Sequence, residues 1–271
     1  MHPPGMYPGF PVYLIMRRQE NHSNTMKCYI GCSGFYYSDW KGKFYPENLP
    51  RTKWLEYYAD HFPAVEINNT FYNMPGEKEL AAWKDRTPPH FRFAVKAHRF
   101  FTHMKKLKTD GPFRQRLGEF LHSLDALDDK LACVLWQLPA NLHGNLLKLE
   151  NFAGMLDKNY VHVLEFRHPS WFNPHVYDLM RDAGLAFCML SAPGDLPEEV
   201  QVTAPLAYVR FHGKNRWYDH FYGEDELENW KEKLKRMEKE HHPETLYAFF
   251  NNDMHAHAAK NARTLASLLN K

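Results

Sequence analysis

VHVLEFRHPSW, running from Val161 to Trp171, decides the fold. Its first half is a short apolar run rich in valine and leucine, the composition of a buried strand. Its second half turns abruptly to Glu165, Arg167 and His168, then Pro169. Unpaired charge is costly to bury, so a core strand that ends in charge needs a reason. In a parallel sheet or barrel, functional sites are built at the carboxyl ends of the strands. Glu165 and Arg167 are two residues apart and share one side of the strand. The plain alternative is a buried ion pair that closes a barrel top. Recurrence of the same transition along the chain favours a site.

Upstream, Lys27 to Gly31 reads as a strand that ends in Gly31, Ser33 and Gly34. A strand from Ala64 runs into Glu66, Asn68, Asn69 and Thr70, and one from Phe91 ends near Lys96. Leu131 to Leu138 ends in Gln137 and Pro139. Downstream, Leu185 to Leu190 is a sixth strand. Ala207 to Phe211 is a seventh, with Arg210, His212 and Gly213, and Leu246 to Phe250 runs into Asn251, Asn252 and Asp253. Helical stretches separate them: 53–61 with Thr52 as cap, 77–86, 112–127, 147–156, Pro174 to Asp182 behind the Asn173 cap, 225–240 and 256–269. Ser191 to Pro205 holds three prolines and no helical period, so its helix is short or missing. About eight strands alternating with helices predict an α/β fold, a single-domain TIM-like (β/α)8 barrel. A doubly wound open sheet is the second choice. It lacks support because GCSG, after the first strand, is neither dinucleotide- nor phosphate-loop pattern.

With 271 residues and 44% hydrophobic content, the chain can bury one sizeable core. A net charge of +2 does not point to a dedicated nucleic-acid surface, although a local basic patch remains open. Cys28, Cys32, Cys133 and Cys188 form no CxxC pair, so no disulfide framework or structural zinc is expected and a cytoplasmic location fits. No apolar run approaches the roughly 20 residues that span a bilayer. Residues 1–25 read as a disordered or loosely attached leader, with Met26 as a second candidate start, and 26–271 as the barrel domain.

In a closed barrel the strand ends converge on one mouth. Glu66, Asn68, Lys96, Gln137, Glu165, Arg167, His168, Arg210, His212, Asn251 and Asn252 would then meet. Glu66 and Glu165 suit a general acid and base whose pKa values burial drives apart. Arg167, Arg210 and Lys96 suit the neutralisation of an anionic group. Trp40, Tyr45, Phe71, Trp171 and Tyr222 are expected to wall the cleft. Glu66, Glu165 and His212 could ligate a divalent cation, but the cations nearby oppose it, so no metal site and no cofactor are assigned.

GCSGFYYSDWKGKFYP (31–46), EINNTFYNMP (66–75), WQLP (136–139), EFRHPSW (165–171), RFHG (210–213) and FFNNDMHAHAAKNA (249–262) resemble the motifs of the YecE-like family, domain of unknown function 72. The resemblance spans nearly the whole chain from Met26 and implies an intracellular TIM-like barrel. It implies no reaction. It adds Tyr72 and Asp253 to the positions above and matches Phe71 and His168. The motifs often carry threonine where Cys32 stands, tryptophan at Phe35 and serine at Asn69.

The expected function is an acid/base enzyme, a hydrolase or isomerase, on a small anionic or phosphorylated substrate. In it Glu66, Glu165, His168 and His212 would be catalytic. One alternative is a nucleic-acid-binding or -processing barrel, with Trp217, Tyr218 and Tyr222 stacking on bases. Another is a ligand-binding barrel without turnover. The sequence does not reveal the oligomeric state.

Overall fold

The structure, a computed structural model, describes residues 25–270. The leader expected over residues 1–25 lies, save Thr25, outside the described residues. Eight parallel strands close into a barrel in sequence order: β1 (Lys27–Cys32), β2 (Ala64–Ile67), β3 (Arg92–Lys96), β4 (Leu131–Gln137), β5 (His162–Glu165), β6 (Ala186–Ser191), β7 (Leu206–Phe211) and β8 (Thr245–Phe250). Helices follow most strands: α1 (Trp54–Ala59), α2 (Glu77–Asp85), α3 (Gly111–Leu124), α4 (Leu146–Ala153), α5 (Pro174–Ala183), α6 (Glu224–His241) and α7 (His257–Leu269). The TIM-like barrel is therefore the fold. No helix among the described residues is long and apolar enough to cross a membrane.

The helix ends follow local chemistry. Asn173 caps α5 by accepting from the Val176 amide, and Gly184 ends it at φ 70°, a left-handed conformation that glycine adopts without strain. Thr52 does not cap α1. It lies inside a short 3₁₀ turn, Arg51–Lys53, and Lys53 precedes the helix without a side-chain cap. After β6 there is no helix. Instead Thr203 folds back on the strand, donating to the Leu185 carbonyl at 2.6 Å and accepting from the Phe187 amide at 2.9 Å.

Side chains alternate along each strand between two cores. Outward positions such as Val65, Val95, Trp136, Leu164 and Val209 pack under the helices. Inward positions fill the barrel, and many are small: Ala64, Ala94, Cys133, Ala186 and Cys188. That spare volume admits the larger Tyr208, Tyr247, Phe249 and a whole arginine. Burial of each large apolar side chain stabilises the fold by roughly 1.5–3 kcal/mol.

β1 and β2 share a single register pair, Cys32 with Val65. The Tyr58 hydroxyl of α1 bridges the gap beside it, accepting from the Cys32 amide at 2.7 Å and donating to the Ala64 carbonyl at 3.0 Å. Gly31 borders this seam. A Cβ there would lie 2.1 Å from the Ala64 carbonyl oxygen, so no side chain fits.

Candidate functional site

The inward parity set by Ala64, Ala94, Cys133, Val163 and Tyr208 continues to the strand ends. It carries Glu66 and Asn68, Lys96, Gln137, Glu165 and Arg167, Arg210 and His212, and Asn251 to one mouth. Charge at these positions is thus aimed at the barrel axis by alternation alone.

Beneath the mouth lies a sealed ionic layer. Arg210, Glu66 and Glu165 are fully buried. Arg210 donates to Glu66 Oε1 through Nη2 at 2.6 Å and Nε at 3.1 Å, and to Glu165 Oε2 through Nη1. The Tyr208 hydroxyl donates to Glu66 Oε2 at 2.6 Å. Gln137 Nε2 donates to Glu165 Oε1 at 2.9 Å, and Arg167 Nε donates to the same oxygen. The Arg210 guanidinium stands between the two carboxylates, where a cation shared by them would have to sit. Burial is the largest influence on Glu165 and would raise its pKa. Arg167, Arg210 and His212 together outweigh it and hold the carboxyl well below the usual range. Glu165 is accordingly a fixed anion, unsuited to donating a proton.

His212 joins the layer to the mouth. Its Nε2 lies 2.8 Å from Arg167 Nη2 and 3.2 Å from Arg210 Nη1, while Nδ1 lies 3.0 Å from the Asn251 side-chain amide. Nε2 also lies 3.3 Å from Glu165 Oε1, and the two guanidiniums beside it disfavour a further positive charge on the ring. Burial first, then the two guanidiniums, push the His212 pKa well below its ordinary value. Arg167 reaches the surface beneath Trp217, whose ring lies 4.6 Å from the guanidinium carbon.

Lys96 is different from the other cations. It is 9% exposed, and among the described residues its Nζ has no ion pair or hydrogen bond. The Nζ instead lies 4.2 Å from the Phe71 ring centre. Burial, and next the Arg210 charge, bring its pKa down to about 7, against the opposing pull of Glu165 and Glu66. Thr70 fixes the strand end by donating to the Lys96 carbonyl at 2.6 Å. His103 meets the same Phe71 ring edge-on at 4.8 Å. Burial, then Lys96, lower its pKa to about 4. Two further polar atoms, Ser33 Oγ and Asn68 Oδ1, are sealed without a partner at the neighbouring strand ends.

Other expected site residues are placed elsewhere. His168 caps the Pro169–Trp171 turn, accepting from the Ser170 amide at 3.2 Å, and stacks on His143. Asn252 ties two loops together through the His220 carbonyl and Asn261. The Tyr222 hydroxyl accepts from the Gly213 amide and donates to Ser191 inside the outer core. Asp253 accepts the Trp40 indole N–H on its carbonyl, and burial raises its carboxyl to about 6. Tyr72 is an exposed ring packed edge-on against Phe71. Trp40, Tyr45 and Trp171 do not wall a cleft. They are buried, with Tyr45 stacked on Trp54 and the Trp171 indole donating to the Leu142 carbonyl at 2.7 Å. Phe71 alone of the expected wall borders the mouth.

Sequence reasoning missed Tyr208 and Ser33. Tyr208 is two residues before Arg210, so strand alternation alone could have found it. Beside the mouth, a groove of about 650 Å³ runs past Phe35, Tyr36, Tyr72 and Trp83 and reaches Asn68. None of the ionic layer lines it.

Comparison with known proteins gives a consistent result. The sequence profile described as "Protein of unknown function DUF72" matches residues 29–271. The UPF0759 protein YunF of Bacillus subtilis (strain 168) is 30% identical, over 89% of this chain and 94% of its own length. The UPF0759 protein YecE of Escherichia coli K12 is 31% identical over 119 residues, 44% of this chain and 43% of that protein. The crystal structure of a DUF72 family protein from Thermotoga maritima superposes with a TM-score of 0.82 at 30% identity, covering 90% of this chain and all of that one. An Enterococcus faecalis DUF72 protein, 23% identical, shares the fold with a TM-score of 0.78 over 90% of this chain and 96% of its own.

Proposed function

We propose, from the premise that the chain belongs to the DUF72 family of proteins of unknown function, that the barrel mouth is the site of an acid/base enzyme. Its substrate is a small anionic or phosphorylated molecule, and the reaction is a hydrolysis or an isomerisation. The observation that carries the reading is Lys96, a buried cation without a counter-ion among the described residues, on the same mouth as Arg167.

The chemistry divides by depth. Glu66 and Glu165 are positioning residues: they hold Arg210, and Glu165 also holds Arg167. Two carboxylates formally cancel two guanidiniums, so Lys96 brings the one charge left over. An anion docking against Arg167 would raise the protonated fraction of Lys96, and its departure would lower it again. A group whose pKa lies near 7 is suited to such exchange. This moves the expected proton carrier from Glu165 to Lys96. Among the described residues no cluster of three histidine, cysteine or carboxylate side chains stands ready to hold a metal, and the scheme routes no step through one. Free cysteines, three of them buried, support a reducing, cytoplasmic setting.

The test is a turnover screen with sugar phosphates and phosphate esters on wild type, Lys96→Met and Arg167→Gln. The reading expects at least one substrate whose turnover both variants reduce by a hundredfold or more. Turnover left intact by both variants would count against it, as would an inert wild type that also fails to bind sulfate.

Trp217 over Arg167, with Tyr218 and Phe221 exposed nearby, favours one second reading, a nucleic-acid ligand stacked on these rings. It requires affinity for single-stranded oligonucleotides that falls steeply with salt and is lost in Trp217→Ala.

A further inference from the structure

We infer that Lys96 is a covalent nucleophile, and that the anionic substrate is a carbonyl compound, an oxo acid or a phosphorylated aldehyde or ketone, which it binds as an imine. The inference rests on the reading of the mouth as an anion site and adds to it the identity of the reacting group. The geometry supplies three requirements at one place. First, the amine is aimed into the mouth from the end of a rigid strand, with Thr70 clamping the backbone at that residue. Second, among the described residues Nζ has no hydrogen bond or ion pair to break before it reacts. It is also not sealed from solvent as Ser33 Oγ and Asn68 Oδ1 are. Third, no carboxylate among the described residues pairs with Nζ: the ring face of Phe71 by itself favours the ammonium, but burial and the nearby guanidiniums of Arg210 and Arg167 favour the free amine.

The charged and titratable groups around Nζ are Arg210, Arg167, Glu165, Glu66 and His103. None of the carboxylates approaches it closely enough to pair. A lysine meant only to hold an anion would do better fully protonated. A desolvated lysine beside other cations is the arrangement that makes an amine nucleophilic. Arg167, at the same mouth, would take the carboxylate or phosphate of the same ligand.

The step is balanced without a redox partner. The Nζ lone pair forms a C–N bond to the carbonyl carbon, and the carbonyl π electrons move to oxygen, which takes a proton. One proton passes from the nitrogen to that oxygen, the nitrogen lone pair forms the C=N bond as the C–O bond breaks, and the oxygen leaves as water. The protonated imine remains on Lys96. Free amine, carbonyl and one proton therefore give iminium and water.

Reductive trapping tests it. Wild-type protein is incubated at about pH 7 with glyoxylate and sodium cyanoborohydride, and labelled lysines are mapped by peptide mass spectrometry. Cyanoborohydride delivers hydride to the imine carbon and fixes the adduct. A lysine with pKa about 7 has a free-amine fraction on the order of a thousandfold above an ordinary lysine. Lys96 is therefore expected to be labelled at least tenfold faster than the exposed Lys158. Sulfate should slow Lys96 and leave Lys158 unchanged. Pyridoxal 5′-phosphate, a phosphorylated aldehyde, should give the same pattern. In Lys96→Arg, which keeps the charge, the fast labelling should vanish while sulfate binding persists. Lys96 labelled no faster than Lys158 would overturn the inference. If sulfate still binds in an Arg167-dependent way in that case, the anion site stands and only the covalent role fails.

Discussion

Arg210 is a fully buried cation whose guanidinium makes four polar contacts, two to Glu66, one to Glu165 and one to His212. Its removal would leave two carboxylates facing each other in an apolar barrel. Arg210→Met is predicted to destabilise the fold by about 3–5 kcal/mol in urea denaturation, because breaking a buried ion pair strands the partner charge. Adding Glu66→Gln to that background should cost less than the same change in wild type. A double-mutant cycle with no coupling would contradict the shared guanidinium. Lys96 gives a pH signature. Its folded pKa of about 7 lies below the ordinary lysine value of 10.5, so above pH 7 the unfolded chain binds more protons than the folded one. Stability should rise with pH from about 7 to about 8.5, beyond which ordinary cysteines begin to titrate in the unfolded chain. Lys96→Met should remove that rise. An unchanged slope would mean that folding leaves the Lys96 ammonium as well hydrated or paired as in the unfolded chain, and would contradict the lowered pKa.

Elements explain why some of this was legible in the sequence and some was not. The pairs Glu66 with Asn68, Glu165 with Arg167 and Arg210 with His212 each sit two apart, and strand alternation directs both members inward whatever the rest of the fold does. The convergence of the strand ends follows once eight strand–helix alternations are counted. Partner choice does not follow. Arg210 pairs with Glu66 across 144 residues, a contact that no local pattern encodes. The aromatic residues misled for a different reason: a ring next to a polar strand end suits a cleft wall and an outer core equally. Trp171 packs flat on Phe166, and its indole satisfies the Leu142 carbonyl. Trp171→Ala is thus predicted to cost about 3–5 kcal/mol of stability while leaving sulfate affinity within twofold. A loss of affinity without loss of stability would return Trp171 to the cleft. The β1–β2 seam is a second case. The Tyr58 phenol bridges strands that barely pair, and Gly31 leaves it room. Gly31→Ala should destabilise by roughly 1–3 kcal/mol through overpacking, read from the denaturation midpoint.

For the molecule as a whole, the barrel brings residues from six strands to one mouth, where Glu66 and Glu165 formally cancel Arg210 and Arg167 and Lys96 adds one further positive charge. The central claim is that an anion taken up there is coupled to a proton on Lys96. Calorimetric titration of sulfate at about pH 7.5, in two buffers of different ionisation enthalpy, tests it most directly. The account predicts uptake of a fraction of a proton on binding, absent in Lys96→Met, and weaker binding in Arg167→Gln by at least tenfold. Binding heats that do not depend on the buffer, or an affinity unaffected by Arg167→Gln, would contradict it.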